Sequence, residues 1–153
     1  MIYYNHTLEE QLRLSWHDWA LGIAEAVAKR GACSRSQVGA VILDADHNIV
    51  SVGYNGAERG GPSCLAGECP RAFSSVEPGS SYDTGPGACI ATHAEGNCLL
   101  YAGRDKAKQG SLYVTREPCG GCMKLIKAAG IAEVYWPEGH IICFPKAEDR
   151  PEQ

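Results

Sequence analysis

Apolar residues recur at Trp16, Trp19, Ala20, Ile23, Ala24 and Val27, a spacing that lines one face of a helix. This predicts a helix over Trp16–Ala28, closed by the cations Lys29 and Arg30 and then by Gly31. The period then changes. Val38–Leu43 and Ile49–Tyr54 are short apolar runs separated by a polar turn, which predicts two strands. The same reading places a helix near His93–Ala102, a strand at Ser111–Thr115, a helix at Cys119–Gly130 and a strand at Ile131–Trp136. A fifth strand is expected at His140–Phe144. Helices that alternate with strands imply an α/β fold, here a three-layer α/β/α sandwich with a central mixed five-stranded sheet.

Between Gly56 and Cys89 neither period holds, and glycine, proline and serine dominate. Compact domains keep so long an irregular stretch when it serves a function or is disordered. Cys64 and Cys69 lie within it and suggest a metal clip that would remove much of its freedom. The last residues, from Lys146, read as frayed, and Trp16 and Trp19 read as core or interface.

At 153 residues the chain suits a single domain, 1–153, with one hydrophobic core. No apolar run is long enough to cross a bilayer. The opening "MIYYNHTLEEQ" is polar and acidic and does not read as a signal peptide, so a cytoplasmic location is expected. The formal net charge of −4 argues against long nucleic acid as a partner, because backbone binding wants clustered Lys and Arg. A mononucleotide is compatible with that charge, since one or two local cations hold one phosphate.

The eight cysteines change the picture. Without an export signal, disulfides are not expected, and metal ligation or burial must account for the thiols. Cys98 and Cys143 sit in apolar runs and read as small buried hydrophobes. Cys119 and Cys122 form a C-x-x-C pair after Pro118, at the start of a predicted helix. The positive end of a helix lowers thiol pKa values and favours the metal-binding form. Taken alone, such a pair is also compatible with a redox dithiol. In "THAEGN", His93 supplies a third ligand, which leaves one position of a tetrahedral zinc for water. Glu95 is then placed to move protons between that water and a substrate. The pattern H-x-E followed by P-C-x-x-C is the signature of zinc deaminases.

On these motifs, together with "VGAVILDADHNIVSVGYNG" and "TREPCGGCMKLIKAAGIAEVYW", the chain resembles the cytidine deaminase-like superfamily and, within it, the deoxycytidylate (dCMP) deaminases. The resemblance covers roughly Trp16 to Trp136. It implies a catalytic zinc on His93, Cys119 and Cys122, and hydrolysis of dCMP to dUMP with release of ammonia. It also implies a second, structural zinc held by Cys33, Cys64 and Cys89, with Cys69 available as a fourth thiolate. Cys33 is read as ending the first helix. Asn55 resembles the residue that binds the sugar, with a plain turn role before Gly56 as its competitor. The backbone N–H of Ala94 is a candidate for the base carbonyl. Arg35, Arg59 and Arg71 are candidates for the 5′-phosphate, and Tyr135 for packing on base or ribose. Relatives form homo-oligomers, among them hexamers. The alternatives are deamination of a free or modified cytosine nucleoside or nucleotide, nucleic-acid editing, which the acidic balance disfavours, and a zinc-stapled binding protein.

Overall fold

In the computed structural model, residues 12–73 and 76–145 are described. The opening residues through Gln11 and the tail from Lys146 lie outside them. In chain order the elements are α1 (Trp16–Ala28), β1 (Gly39–Leu43), β2 (Ile49–Tyr54), a 3₁₀ turn (Cys64–Ala66), α2 (Pro70–Phe73), α3 (Ala94–Ala102), α4 (Arg104–Ala107), β3 (Ser111–Val114), α5 (Gly120–Ala128), β4 (Glu133–Trp136) and β5 (Gly139–Ile142). The strands form one sheet in the order β2-β1-β3-β4-β5. β3 and β4 run parallel and the other neighbours antiparallel, so the sheet is mixed, as expected.

A strand shows alternate residues to opposite faces, and here the two parities meet different helices. Ala40, Ile42, Leu112, Val114 and Val134 pack with Ala94, Cys98, Cys122 and Ile126 of α3 and α5. Val41, Leu43 and Tyr113 pack with Ala20 and Ala24 of α1, with Trp19 and Tyr135 at the margin. Trp16 lies outside this core and stacks on His47, ring centroids 4.1 Å apart. α1 starts at Ser15, whose hydroxyl accepts the N–H of Asp18 at 3.1 Å.

Two glycines set how closely the layers approach. A Cβ on Gly39 would lie 2.0 Å from the carbonyl oxygen of Ala24, so α1 rests directly on the backbone of β1. A Cβ on Gly53 would lie 2.4 Å from Cys98 N and 2.5 Å from the Ala94 oxygen, so α3 rests in the same way on β2. That second contact fixes the height of the helix that carries Glu95.

Several expected boundaries shift for identifiable reasons. β1 begins at Gly39 because Val38 instead pairs with Asn55, through its N–H to Asn55 Oδ1 at 2.9 Å and its carbonyl to Asn55 N at 3.2 Å. β4 begins at Glu133 because the Ala132 N–H turns to the Gly110 carbonyl. β5 ends at Ile142 because the N–H groups of Cys143 and Phe144 both donate to the Ala132 carbonyl, at 2.8 and 3.2 Å. Cys33 does not end the first helix: α1 stops at Ala28, and Cys33 lies in the connection to β1. The 56–89 segment is not uniformly irregular, since the 3₁₀ turn and α2 sit inside it.

Cys98 is wholly buried, as expected, while Cys143 is half-buried against the same core. Burial pushes the Cys98 thiol up to about 11. Its folded pKa therefore exceeds the unfolded value of 9.0, so the neutral thiol favours the fold fully below pH 9, and that contribution is lost as pH rises towards 11. The loss amounts to about 2–3 kcal/mol. Urea unfolding of the wild type should show it, and Cys98→Ala should unfold with a flatter dependence between those pH values. An unchanged slope in the variant would mean that other groups carry the effect.

Candidate metal centre and active site

Two helix starts meet on the α3/α5 face of the sheet. His93 is the N-cap of α3, with extended backbone (φ −65°, ψ 155°) and a carbonyl that accepts the N–H of Asn97. No capping hydrogen bond engages its imidazole, which is left to face the next helix start. Cys119 is the N-cap of α5, and its sulfur accepts the N–H of Cys122 at 3.4 Å. Pro118 therefore stands before the cap rather than at the first helical position, and Cys122 occupies the first turn.

These caps bring three ligand atoms together. His93 Nδ1 lies 3.6 Å from Cys119 Sγ and 3.3 Å from Cys122 Sγ, and all three atoms fall within 4.8 Å of one another. A tetrahedral zinc bound at its usual lengths holds nitrogen and sulfur ligands about 3.5 Å apart, so the set fits that ion. The donor chemistry agrees with it. Burial pushes the Cys122 thiol well above its ordinary value, and Glu95 and Cys119 add to the rise. Sulfurs and a carboxylate crowded together in this way are stabilised by a cation between them.

Glu95 belongs to the first turn of α3 and is 4% exposed, with its Oε2 3.6 Å from the Cys122 sulfur. A carboxylate held dry beside the ligands, without being one of the three, is suited to proton transfer. The site opens outward: His93 and Cys119 are exposed, while Cys122 and Glu95 form its floor.

The rim is tied to this floor through backbone. Gly56 and Thr92 exchange hydrogen bonds at 3.0 and 2.8 Å, which sets Asn55 beside the segment that ends in His93. Asn55 is buried, and its amide donates to the Ser36 carbonyl at 2.8 Å while accepting from Val38 N. It thus holds the 36–38 segment against the site. Ala94 is the first helical residue, whose N–H has no intrahelical acceptor. Arg35 is exposed, near enough to Cys69 for its charge to be felt there.

Two sequence candidates prove to be engaged elsewhere. Tyr135 points to the opposite face of the sheet, stacked on Tyr113 at 5.0 Å and on His140 at 5.6 Å, with His17 tilted against it at 4.4 Å. Its expected place over the base or ribose is thereby corrected, because its strand parity turns it towards α1. Arg71 is held inside the 56–89 segment by the carbonyls of Ser80, Ser81 and Gly87, rather than held out for a phosphate. Arg59 is exposed. Sequence reasoning missed Arg116, whose Nη1 lies 3.3 Å from Ser36 Oγ and so reaches the segment that Asn55 holds. Its signal was its position inside "TREPCGGC", next to the ligands.

The remaining four cysteines share one neighbourhood. Burial raises the Cys64 thiol to about 11, and Cys69, Cys89 and Cys33 add to it. For Cys69, burial is outweighed by the N–H groups of Ala72 and Arg71, the Cys64 thiol and the Arg35 charge, and the net shift is downward. Among the described residues, His93, Cys119 and Cys122 alone gather three ligand atoms within 4.8 Å of one another.

The family model for the cytidine and deoxycytidylate deaminase zinc-binding region matches residues 14–138. The chain belongs to this family. This deaminase chain is 46% identical over 127 residues to the deoxycytidylate deaminase of Mycobacterium phage D29, covering 82% of this chain and 97% of that one. It is 35% identical over 124 residues to the human deoxycytidylate deaminase, covering 80% of this chain and 65% of the human one. Among solved structures, the dCMP deaminase of cyanophage S-TIM5 in apo form superposes with a TM-score of 0.55 at 23% identity, over 81% of this chain and 83% of that one. This likeness shows the fold. The family's zinc-assisted amidine hydrolysis accounts for the three gathered ligands and the buried carboxylate beside them.

Proposed function

We propose that this deaminase acts on dCMP and yields dUMP and ammonia. The observation that carries the reading is the meeting of His93, Cys119 and Cys122 around the buried carboxylate of Glu95. The similarity to a deoxycytidylate deaminase along nearly its whole length supports the choice of nucleotide.

Bound zinc, held by His93, Cys119 and Cys122, supplies a Lewis acid that lowers the pKa of water towards neutrality. The chain does the rest. Glu95 takes a proton from the attacking water and delivers it to N3 of the pyrimidine as oxygen adds at C4. It then moves the second water proton to the amino group, which leaves as ammonia when the C4–N bond breaks. Water and a cytosine ring are consumed, and a uracil ring and ammonia are formed. The N–H of Ala94 meets the base carbonyl, and Asn55 meets the sugar through its remaining amide hydrogen and lone pair. Holding the base first converts the encounter with water into a local step.

Arg35 is next to Ser36 in the chain, and Arg116 reaches the Ser36 hydroxyl from the start of the Cys119 segment. They provide the local positive charge that a dianionic 5′-phosphate needs on a chain of net charge −4. Arg116→Ala is expected to raise KM for dCMP about 10-fold, the scale of one charged hydrogen bond, while turnover of deoxycytidine stays as it was. Rates with dCMP, deoxycytidine, cytidine and CMP test the reading as a whole. A preference for the unphosphorylated nucleoside would sink it in favour of a nucleoside deaminase.

In the same reading Cys33, Cys64, Cys69 and Cys89 hold a second, structural zinc. The support is that Cys69, Cys89 and Cys33 lie near enough to Cys64 to raise its thiol further, while among the described residues no three of these four sulfurs fall within 4.8 Å of one another. A closed set of four thiolates leaves no place for water. Zinc per chain, measured by plasma mass spectrometry, separates one site from two. The protein works as a homo-oligomer in this reading, with exposed Leu100, Tyr101 and Leu125 on α3 and α5 as the apolar surface available for it. Sedimentation velocity reads that directly. Among the described residues, no helix is long and apolar enough to cross a membrane.

A further inference from the structure

Asn55 and His93 sit on separate segments, and one side chain is bonded to both. Asn97 lies one turn into α3, and its Nδ2 donates to the Tyr54 carbonyl at 2.8 Å and to the Thr92 carbonyl at 3.4 Å. Tyr54 precedes Asn55, and Thr92 precedes His93. The Tyr54 carbonyl needs such a donor. The peptide that joins it to Asn55 gives its N–H to the Val38 carbonyl at 3.2 Å, on the side of β1. In a trans peptide the C=O points the opposite way, and there β2 is an outer strand of the sheet. The Thr92 carbonyl already accepts the N–H of Gly56 at 3.0 Å, so Asn97 takes its second lone pair. Layer packing does not depend on this amide, because α3 rests on β2 through Gly53, Cys98 and Ala94. The amide instead braces the Gly56–Thr92 bridge from both of its strands.

We propose that Asn97 is a positioning residue for the deamination: its amide fixes the Asn55 segment on the helix start that carries His93 and Glu95, and so sets where the sugar is held relative to the reacting carbon. This rests on the reading of Asn55 as the sugar contact. A side-chain amide carries two hydrogens on one nitrogen, so one group serves two carbonyls. Aspartate has the same shape but no donor, and it sets a carboxylate against both carbonyl oxygens. With the sugar held by a displaced segment, the base meets the attacking water off line, and a displacement of about 1 Å costs up to about 100-fold in rate. That loss travels through Asn55, so it is tied to the hydroxyl of the sugar. In dCMP this is the 3′-hydroxyl, since the 2′ carbon carries none and the 5′ oxygen bears the phosphate.

The experiment compares the zinc-loaded full chain as wild type, Asn97→Asp and Asn97→Ala, with dCMP and with 2′,3′-dideoxycytidine 5′-monophosphate, each rate taken per bound zinc. The wild type should prefer dCMP by about 10-fold or more. In both variants kcat/KM for dCMP should fall about 10-fold or more. For the dideoxynucleotide it should stay within about 2-fold, because the contact through which Asn97 acts is already missing. A residue that only stabilises the fold would lower both substrates by one factor. Amide exchange read by mass spectrometry should quicken over residues 54–57 in the variants and stay as it was in β3. An equal fall with both substrates, no fall with either, or wild-type exchange over 54–57 overturns the role of Asn97. A wild type without preference for dCMP sinks instead the reading of Asn55 as the sugar contact. Should Asn97→Asp not fold, Asn97→Ala with an unaltered preference overturns the role equally.

Discussion

Glu95→Gln leaves a folded, zinc-loaded protein whose turnover of dCMP falls by about 10²–10⁴-fold, the usual worth of a positioned proton donor and acceptor. Glutamine keeps the shape and can still hydrogen-bond, but it cannot accept the proton of water and return it. The carboxylate is not among the three gathered ligands, so zinc content should stay as in the wild type. Its burial beside the Cys122 sulfur gives the replacement a second consequence. An amide removes a negative charge next to a buried thiolate, so the variant should be no less stable than the wild type. Steady-state kinetics, metal analysis and a thermal melt on the same preparation check all three. Wild-type turnover in Glu95→Gln would refute the proton-transfer role, and loss of zinc in that variant would mean that Glu95 is itself a ligand.

Cys122→Ser should abolish turnover, with a loss of roughly 10³-fold or more, because a Lewis acid supplies several kcal/mol of transition-state stabilisation. Zinc should drop by one equivalent per chain. The two cysteines of the pair should not respond alike. Cys122 is buried in the α3/α5 core, and its sulfur meets His93 Nδ1 at 3.3 Å and Glu95 Oε2 at 3.6 Å. Cys119 is exposed at the cap. Cys122→Ser thus costs stability as well as metal, since it replaces a buried sulfur by a smaller hydroxyl that is costlier to desolvate in that core. Cys119→Ser puts a good capping hydroxyl where a sulfur caps now, so it should lose zinc and activity with little change in the apo melting temperature. Equal destabilisation by the two substitutions would contradict this division of roles.

His93, Glu95, Cys119 and Cys122 were legible in the chain because their chemistry is local. Each lies within a turn of a helix start, and helix starts announce themselves through period, proline and spacing. The layers were legible for the same reason: apolar residues at helical spacing from Trp16 to Val27, and two apolar runs around a polar turn from Val38 to Tyr54, have one compact solution each. Strand ends were less so. Val38 leaves the ladder for Asn55, and Cys143 and Phe144 leave it for one carbonyl of Ala132, choices made by partners far along the chain.

The side chains that no pattern could assign were those with two acceptable environments. β1 and β3 are buried on both faces, so alternation does not say which face is which. Only the packing of α1 on one side and of α3 and α5 on the other sends Tyr135 away from the metal centre. Arg71 and Arg116 are alike as letters in an irregular or exposed stretch. One finds three carbonyls and an aromatic ring across a loop, and the other finds a hydroxyl beside Asn55. The sequence by itself determined which imidazole and sulfurs could gather, which carboxylate stands beside them and the order of the layers, since those depend on residue type and near spacing. The tertiary structure decided which arginine is tied into a loop, which tyrosine faces α1, and how far apart the three ligand atoms stand, since those depend on contacts between segments that periodicity never sees.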